Sequence, residues 1–156
     1  GKGYFTLTLA REGFNFTSFD VSAQEQQYAR LNLMYHGLEH QVHFDVADAE
    51  CLDYDDNFFD IIFAVNMIHH LSSVRKVCNE FIRILSPKGK IVLSDFNNKG
   101  LAILDKIHAL DGRRHEVGAG TMNEIRAKLI ECGFRLKEYH SEIQDILVAS
   151  RVSMSA

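Results

Sequence analysis

The sequence predicts one α/β domain over residues 1–156, with a mostly parallel sheet that ends in an antiparallel hairpin. Strand-like and helix-like segments alternate along the whole chain, without a linker or a repeat. In the strand-like segment over residues 60–65 the apolar residues are consecutive, which is typical of a parallel strand buried on both faces. Two strand-like segments, residues 134–139 and 145–151, are joined by a short polar turn and are therefore expected to be antiparallel.

The chain begins with two glycines, Gly1 and Gly3, which run into a helix-like segment ending at Arg11. Residues 14–19 then predict a strand, closed by the acidic residue Asp20. This order is typical of a loop where a nucleotide-bearing cofactor approaches the backbone, followed by a carboxylate that binds ribose hydroxyls. The simpler interpretations are a turn for the glycines and a helix cap for Asp20.

No strand precedes these glycines, although such a loop normally follows one. We expect the native polypeptide to continue upstream of Gly1 with an apolar strand, or another chain to fill its place. Without that strand, the buried backbone groups of its neighbours would lack partners, at a cost of about 1 to 3 kcal/mol each.

The next two elements have recognisable boundaries. Ser22 and Glu25 have the spacing of a capping box, in which the hydroxyl and the carboxylate each reach a free backbone N–H. The helix that they open is expected to stop at Gly37, and a short strand is predicted over residues 42–46.

A later helix is predicted from one apolar face, formed by Val74, Val77, Cys78, Phe81, Ile82 and Leu85. Residues 86–89 are expected to turn the chain into a strand over residues 90–96. A further helix has one face formed by Leu101, Leu104, Ile107 and His108. After a loop at residues 118–120, a capping box at Thr121 and Glu124 opens a last helix that stops at Gly133.

Composition excludes several classes of protein. No apolar run is long enough to span a membrane and no signal-peptide pattern is present, so we expect a soluble, cytoplasmic protein with no membrane partner. A net charge of -4 disfavours nucleic acid as the main partner. The three cysteines are odd in number and far apart, so Cys51, Cys78 and Cys132 are interpreted as core fillers.

Four local patterns resemble a class I S-adenosylmethionine-dependent methyltransferase of the small-molecule group that includes the ubiquinone and menaquinone C-methyltransferases. Residues 1–3 resemble the last two glycines of the family's loop, and Asp20 occupies the place of its ribose-binding acid. Residues 48–50 followed by 58–62 resemble its adenine-binding turn and next strand. Residues 83–92 resemble the family's segment before the fifth strand, with a lysine in place of one glycine.

The resemblance implies a Rossmann-like, doubly wound sheet. Its absent first strand would lie between the strand ending at Asp20 and the strand over residues 60–65. It also implies contacts with S-adenosyl-L-methionine from Gly1, Gly3, Asp20, Val21, Asp48, Ala49, Asn66 and Met67. A core valine is the alternative for Val21, and a turn-forming aspartate is the alternative for Asp48.

Differences from the sequence patterns of related families limit the range of possible substrates. Asn66 is followed by Met67 and Ile68, not by the Pro-Pro-aromatic sequence of DNA amino-methyltransferases, which disfavours bases in DNA. The acidic residues Asp53, Asp55 and Asp56 fit a solvated loop better than a metal site, and no metal is expected.

Adjacent histidines, His69 and His70, follow a predicted strand at its carboxyl end, where ligands bind in doubly wound sheets. One of the two should face the cleft, and the other should face the next loop or the core. With His115 they are candidate proton acceptors, and a structural imidazole is the alternative for each.

A second polar cluster follows the strand over residues 90–96. His108 and Arg113 are candidate substrate-binding residues, because relatives usually recognise substrate in this stretch. A solvated loop is the alternative, and a metal site formed by His108, Asp111 and His115 is a third, less favoured one.

The expected activity is in-line transfer of a methyl group to a small-molecule acceptor that the sequence does not identify. Holding donor and acceptor in line contributes about 7 to 11 kcal/mol to such a reaction. An NAD-dependent oxidoreductase is one alternative, disfavoured by the terminal hairpin and the Asp48-Ala49 turn. A non-catalytic binding module with the same fold is another, and assembly into a homo-oligomer stays open.

Overall fold

The strands form two separate sheets, one in each of two parts of the chain. The computed structural model describes residues 1–110, 112, 118 and 120–152. Within it, the chain divides into unit 1, Gly1–Asp53, and unit 2, Tyr54–Ala156. The prediction of one domain over the whole chain stays a prediction.

Unit 1 pairs two parallel strands with two helices. Its elements are α1 (Tyr4–Arg11), β1 (Phe16–Asp20), α2 (Ala23–Tyr35), a 3-10 turn (Glu39–Gln41) and β2 (Val42–Val46). β1 runs parallel to β2, with Asp20 opposite Val46. Leu7 and Ala10 of α1 are buried together with Leu33 of α2, and this cluster forms the core of the unit.

Two residues of unit 1 bring α2 close to its neighbours. Gly3 has a left-handed φ of 79°, and a Cβ placed there would lie 2.7 Å from the Cβ of Ala29. The fold therefore requires glycine at position 3 whatever binds beside it. Gln26 is buried, and its Nε2 donates to the Ser18 carbonyl at 2.5 Å and to the Asp45 carbonyl at 2.7 Å, so that it joins both strands to α2.

Of the two hydrogen bonds predicted for the capping box at the start of α2, one forms and the other has a different acceptor. The Glu25 N–H donates to Ser22 Oγ at 3.3 Å, as expected. The Ser22 N–H donates at 2.8 Å to Asp20 Oδ1, and not to Glu25, because the strand-end carboxylate is already beside it. The predicted stop holds, since Gly37 follows the helix with a φ of 69°.

Unit 2 contains the predicted mixture of parallel and antiparallel strands. Its strand order is β3-β4-β6-β5, in which β3 is parallel to β4 while β6 is antiparallel to both of its neighbours. The elements are β3 (Phe59–Val65), a 3-10 turn (Ile68–His70), α3 (Val74–Ile84), β4 (Leu85–Phe96), α4 (Asn98–Leu110), α5 (Met122–Glu131), β5 (Phe134–His140) and β6 (Gln144–Arg151). The expected C-terminal hairpin is thus confirmed.

The predicted turn at residues 86–89 lies inside β4 as an irregularity. Phe59 pairs with Leu85 and Ile61 pairs with Lys90, so β4 carries extra residues between these two pairs. Gly89 lies in this bulge, and a Cβ there would meet Leu85 Cδ1 at 2.6 Å. The predicted turn is therefore a bulge within β4 and does not precede the strand.

Burial of β3 on both faces is wrong for this structure. Ile62 and Ala64 are buried, whereas Ile61 is 52% exposed and Phe63 is 43% exposed. An apolar run records which side chains are apolar but not which neighbours cover them, so the pattern alone overestimates burial.

The helices of unit 2 largely follow their predicted faces. Val77, Cys78 and Phe81 of α3 are buried, while Leu85 belongs to β4 and is buried there. Ile107 of α4 is 49% exposed and does not belong to a buried face. The capping box at the start of α5 has both of its reciprocal hydrogen bonds. None of the helices that the structure describes has both the length and the apolar character needed to cross a membrane.

The interpretation of all three cysteines as core fillers is wrong for two of them. Cys78 is buried in α3, whereas Cys51 and Cys132 are exposed. Cys132 is the residue that ends α5, and Cys51 follows the turn at Asp48. Both lie where the chain leaves an element, and such positions are usually at the surface.

The burial of the cysteines leads to a first prediction. Burial raises the pKa of the Cys78 thiol to about 11, so at pH 8 this thiol is protonated as well as covered. We expect DTNB to label Cys51 and Cys132 in the native protein, and Cys78 only after unfolding in urea. The Cys78→Ala variant is the control, and it should keep the two fast-reacting thiols. Rapid reaction of three thiols in the native protein would contradict the burial of Cys78.

Candidate functional site

In unit 1, the carboxylate of Asp20 lies at the carboxyl end of β1. Its Oδ1 accepts the Ser22 N–H, and its Oδ2 is paired with the amino group of Gly1. The side chain is 23% exposed. Gly1 thus lies beside the strand-end acid, and Asp20 also fixes the start of α2, while cofactor contact stays a prediction for both residues.

The turn after β2 is held by Asp48. Its Oδ1 accepts the Glu50 N–H at 2.9 Å, and its carbonyl accepts the Cys51 N–H at 2.9 Å. Asp48 is therefore a turn-forming aspartate, and contact with adenine stays a prediction for it and for Ala49. Val21 is 71% exposed, so it is not a core valine.

In unit 2, a buried pair of side chains lies where β3 and β4 end. His69 is 6% exposed and Asp95 is 4% exposed, and 2.5 Å separates His69 Nδ1 from Asp95 Oδ1. The His69 backbone N–H donates to Asp95 Oδ2 at 2.9 Å, and the Phe96 N–H donates to Oδ1 at 2.8 Å. Three donors thus fix one carboxylate, and that carboxylate fixes both the backbone and the ring of His69.

Sequence reasoning missed Asp95. The signal was present, because Asp95 is an acidic residue next to the last position of an otherwise mostly apolar strand. A carboxylate at that point is costly to bury unless it is hydrogen-bonded, which favours a donor such as histidine as its partner.

The two adjacent histidines differ in burial, and which of them faces a cleft stays a prediction. His69 is buried, while His70 is exposed, and their ring centroids lie 4.0 Å apart. His108 is half-buried near the end of α4. Arg113 and His115, the other two candidates of this group, lie outside the described residues.

A second polar network surrounds Asn66, directly after β3. Asn66 has a left-handed φ of 53°, and its N–H donates to the Ser94 carbonyl at 2.8 Å. Its Oδ1 accepts from Gln144 Nε2 at 2.9 Å, and Gln144 Oε1 accepts from Ser94 Oγ at 3.1 Å. The network ties the ends of β3 and β4 to the start of β6. Met67, half-buried, opens the 3-10 turn that carries the histidines.

The acidic loop before β3 contributes to an ion-pair network at the surface. Asp56 and Glu80 both accept from Arg83, at 2.9 Å and 2.8 Å, and these bonds raise the pKa of the guanidinium, Glu80 more than Asp56. Asp53 and Asp55 are exposed. Within the described part of the chain, no three metal-ligating side chains form a group that could hold a metal ion.

Comparison with known proteins identifies the class. The family model described as a methyltransferase domain matches residues 1–93. The chain is similar to methyltransferase GfsG of Streptomyces halstedii, with 35% identity over 101 residues that cover 64% of this chain and 36% of the relative. It is also similar to the ubiquinone biosynthesis O-methyltransferase of Erwinia tasmaniensis, with 30% identity over 100 residues that cover 62% of this chain and 40% of the relative.

Solved structures show the same fold. A structure described as a SAM-dependent methyltransferase from Methanosarcina mazei has a TM-score of 0.73 and 18% sequence identity, and the match covers 97% of this chain and 89% of that one. The solved structure shows a Rossmann-like fold, and the family match places the chain in the class of S-adenosylmethionine-dependent methyltransferases. The chain belongs to the methyltransferase domain family, and it spans 36% to 40% of the length of the two curated relatives above.

The left-handed backbone conformation of Asn66 leads to a second prediction. A left-handed φ costs most residues roughly 1 to 2 kcal/mol, whereas asparagine and glycine adopt it more readily. We expect Asn66→Ala to lower the free energy of unfolding by about 2 to 3 kcal/mol, because it adds this strain to the loss of the Gln144 hydrogen bond. Asn66→Gly is the matched control, because it loses the same hydrogen bond without the strain, although glycine adds entropy to the unfolded chain. A higher urea midpoint for Asn66→Ala than for Asn66→Gly would contradict the strain.

Proposed function

We propose that this protein transfers a methyl group from S-adenosyl-L-methionine to a small-molecule acceptor, and that His69 accepts the proton that the acceptor loses. The observation that carries the proposal is the buried His69–Asp95 pair at the carboxyl ends of β3 and β4. Ligands bind at this edge of doubly wound sheets.

The contacts of His69 favour one tautomer. Because Nδ1 faces a carboxylate oxygen, the hydrogen bond places the proton on Nδ1 and leaves the lone pair on Nε2. Nε2 is then the atom that takes the acceptor's proton. Asp95 acts through His69 as a positioning residue, since its carboxylate orients the ring and stabilises the positive charge that the imidazole acquires.

Apart from this base, methyl transfer requires mainly that the protein align the two reactants. When bound, S-adenosyl-L-methionine would supply a methyl group on a positively charged sulfur, and that sulfur would keep the electrons of the broken carbon–sulfur bond as the acceptor's lone pair bonds to the methyl carbon. The acceptor's proton passes to His69 and later to water. Alignment of the two reactants contributes about 7 to 11 kcal/mol, and a positioned base adds roughly 100- to 10,000-fold.

Asp20 is the proposed ribose ligand. It is a partly exposed carboxylate at the end of a parallel strand and close to Gly1, which fits a ribose that presents two hydroxyl donors. We further propose cofactor contacts for Val21, whose exposed side chain offers an apolar surface, and for the turn at Asp48 and Ala49. Gly3, Asn66 and Met67 complete the proposed cofactor set, and His108 is kept as a substrate-binding candidate.

The relatives support a small-molecule acceptor without selecting its atom. The Erwinia relative is named as an O-methyltransferase of ubiquinone biosynthesis, and a relative from Rauvolfia serpentina is named as an N-methyltransferase. A histidine base suits an acceptor that must lose a proton in order to react, which includes hydroxyl compounds and protonated amines.

The third prediction tests cofactor binding by calorimetry with S-adenosyl-L-methionine and with NAD. We expect binding of the first ligand and none of the second. Hydrogen bonds to a charged acceptor contribute about 1.5 to 3 kcal/mol each, so Asp20→Ala should raise the dissociation constant roughly tenfold or more.

Asp20→Asn is the sharper variant, because the amide oxygen can still accept the Ser22 N–H and keep the start of α2. The control is Ser22→Ala, which removes the Oγ cap of α2 but leaves Asp20 intact. Unchanged affinity in both Asp20 variants would remove this residue from the cofactor site. Binding of NAD instead of S-adenosyl-L-methionine would overturn the proposed function.

The fourth prediction concerns the base. With labelled S-adenosyl-L-methionine and a panel of phenols, alcohols and amines, His69→Gln should lower turnover roughly 100- to 10,000-fold while cofactor affinity is kept. His70→Gln is the matched control at the neighbouring, exposed position and should retain most of the activity. Normal turnover of His69→Gln would leave this imidazole with a structural role only.

Asp95→Asn separates positioning from packing. The amide has one oxygen for the N–H groups of His69, Phe96 and the ring, so its NH2 group must face at least one donor. Where the NH2 group faces Nδ1, the proton moves to Nε2 and the base is blocked. We expect turnover to fall and its pH profile to change. A parallel loss of stability with an unchanged pH profile would instead indicate a packing role.

A further inference from the structure

The turn that carries His69 is covered by two glycines from the segment between α4 and α5. The Gly118 N–H donates to the His69 carbonyl at 2.6 Å. His69 is therefore held on two sides. Asp95 fixes its N–H and its ring, and Gly118 fixes its carbonyl.

Neither position has room for a side chain, so both require glycine. A Cβ on Gly118 would lie 2.7 Å from the Leu71 carbonyl oxygen and 2.9 Å from that of His70. A Cβ on Gly120 would collide even more closely with the carbonyl oxygen of Ile68. Neither glycine has a left-handed φ, so an alanine could adopt the backbone conformation but could not occupy the position. The atoms in the way are backbone atoms, which cannot swing aside as a side-chain end can.

The other end of the same segment is fixed in the same manner. A Cβ on Gly100, at the start of α4, would collide with the carbonyl oxygen of Ile143 in the β5–β6 turn. The Asn97 N–H donates to that same oxygen at 3.1 Å. The segment that follows Asp95 thus contacts the β5–β6 turn near its start, and Gly118 near its end contacts the turn that carries His69.

We propose that Gly118 and Gly120 form a clasp that positions His69 for proton transfer; the inference rests on the proposed function of His69. Close backbone packing lets the clasp lie flat on the turn, and the Gly118 hydrogen bond sets the position of the His69 backbone. A methyl group at residue 118 lifts the clasp and releases that carbonyl. Displacement of a catalytic group by about 1 Å can cost on the order of 100-fold in rate.

The test compares Gly118→Ala and Gly120→Ala with Gly133→Ala. Gly133 has a left-handed φ of 79° in open space, so its alanine variant is strained but displaces no neighbour. The readouts are thermal stability, calorimetric affinity for S-adenosyl-L-methionine, and the 15N and 1H resonances of the His69 ring across a pH titration. The ring resonances can be measured without a known acceptor.

We expect the clasp variants to shift or lose the His69 Nδ1–H resonance and to keep cofactor affinity. On an acceptor found with the panel, we expect turnover to fall about 10- to 100-fold. Gly133→Ala should lose stability but keep the wild-type ring resonances and turnover. Wild-type ring resonances in folded Gly118→Ala would overturn the clasp.

A measurement on the unaltered protein covers the case in which the clasp variants do not fold. Amide hydrogen exchange at Gly118 should be slow, because its N–H is bonded to His69. Exchange at the rate of an unstructured chain would overturn the proposal. The proposal for the clasp and the proposal for His69 as the base can be contradicted independently. A displaced ring in Gly118→Ala with normal turnover of His69→Gln supports the clasp and removes His69 as the base.

Discussion

The parallel pairing of β3 with β4 is the interaction on which the described site of unit 2 depends. Val65 lies opposite Ser94, and the next residue, Asn66, donates its N–H to the Ser94 carbonyl. Because the two strands run in the same direction, their last residues meet at one edge, where the turn with His69 reaches Asp95. A slip of one residue would move the Asp95 side chain to the other face of the sheet and leave a buried carboxylate without its donors.

The parts of the fold that the sequence predicts are those decided by near neighbours in the chain. The capping box at Thr121, the stop at Gly133 and the terminal hairpin each depend on a few consecutive residues, and each is found where it was expected. Burial was predicted less well. The exposed Ile61 and the exposed Cys132 both follow from which parts of the chain pack against them, and local sequence does not contain that information.

The same distinction applies to the site. The position of His69 after a strand marked it as a candidate, but its ring bonds to Asp95, which is 26 residues away. A loop at Gly118 was also expected, but the hydrogen bond of Gly118 to the His69 carbonyl leaves no local pattern in the sequence. Sequence spacing thus finds residues that lie at the right edge of a sheet. It does not show which of them bind one another, because those bonds join segments far apart in the chain.

Two carboxylates in this protein lie near the ends of parallel strands, and their surroundings give them different chemistry. Asp20 belongs to β1, whose sheet has one other strand, and its side chain is 23% exposed. Asp95 belongs to β4, which has a strand on each side, and its side chain is 6% exposed. Asp95 accepts three hydrogen bonds from its own protein, so it serves to hold a histidine. The greater exposure of Asp20 suits it to an incoming ligand, whereas both carboxylate oxygens of Asp95 already accept hydrogen bonds within the protein.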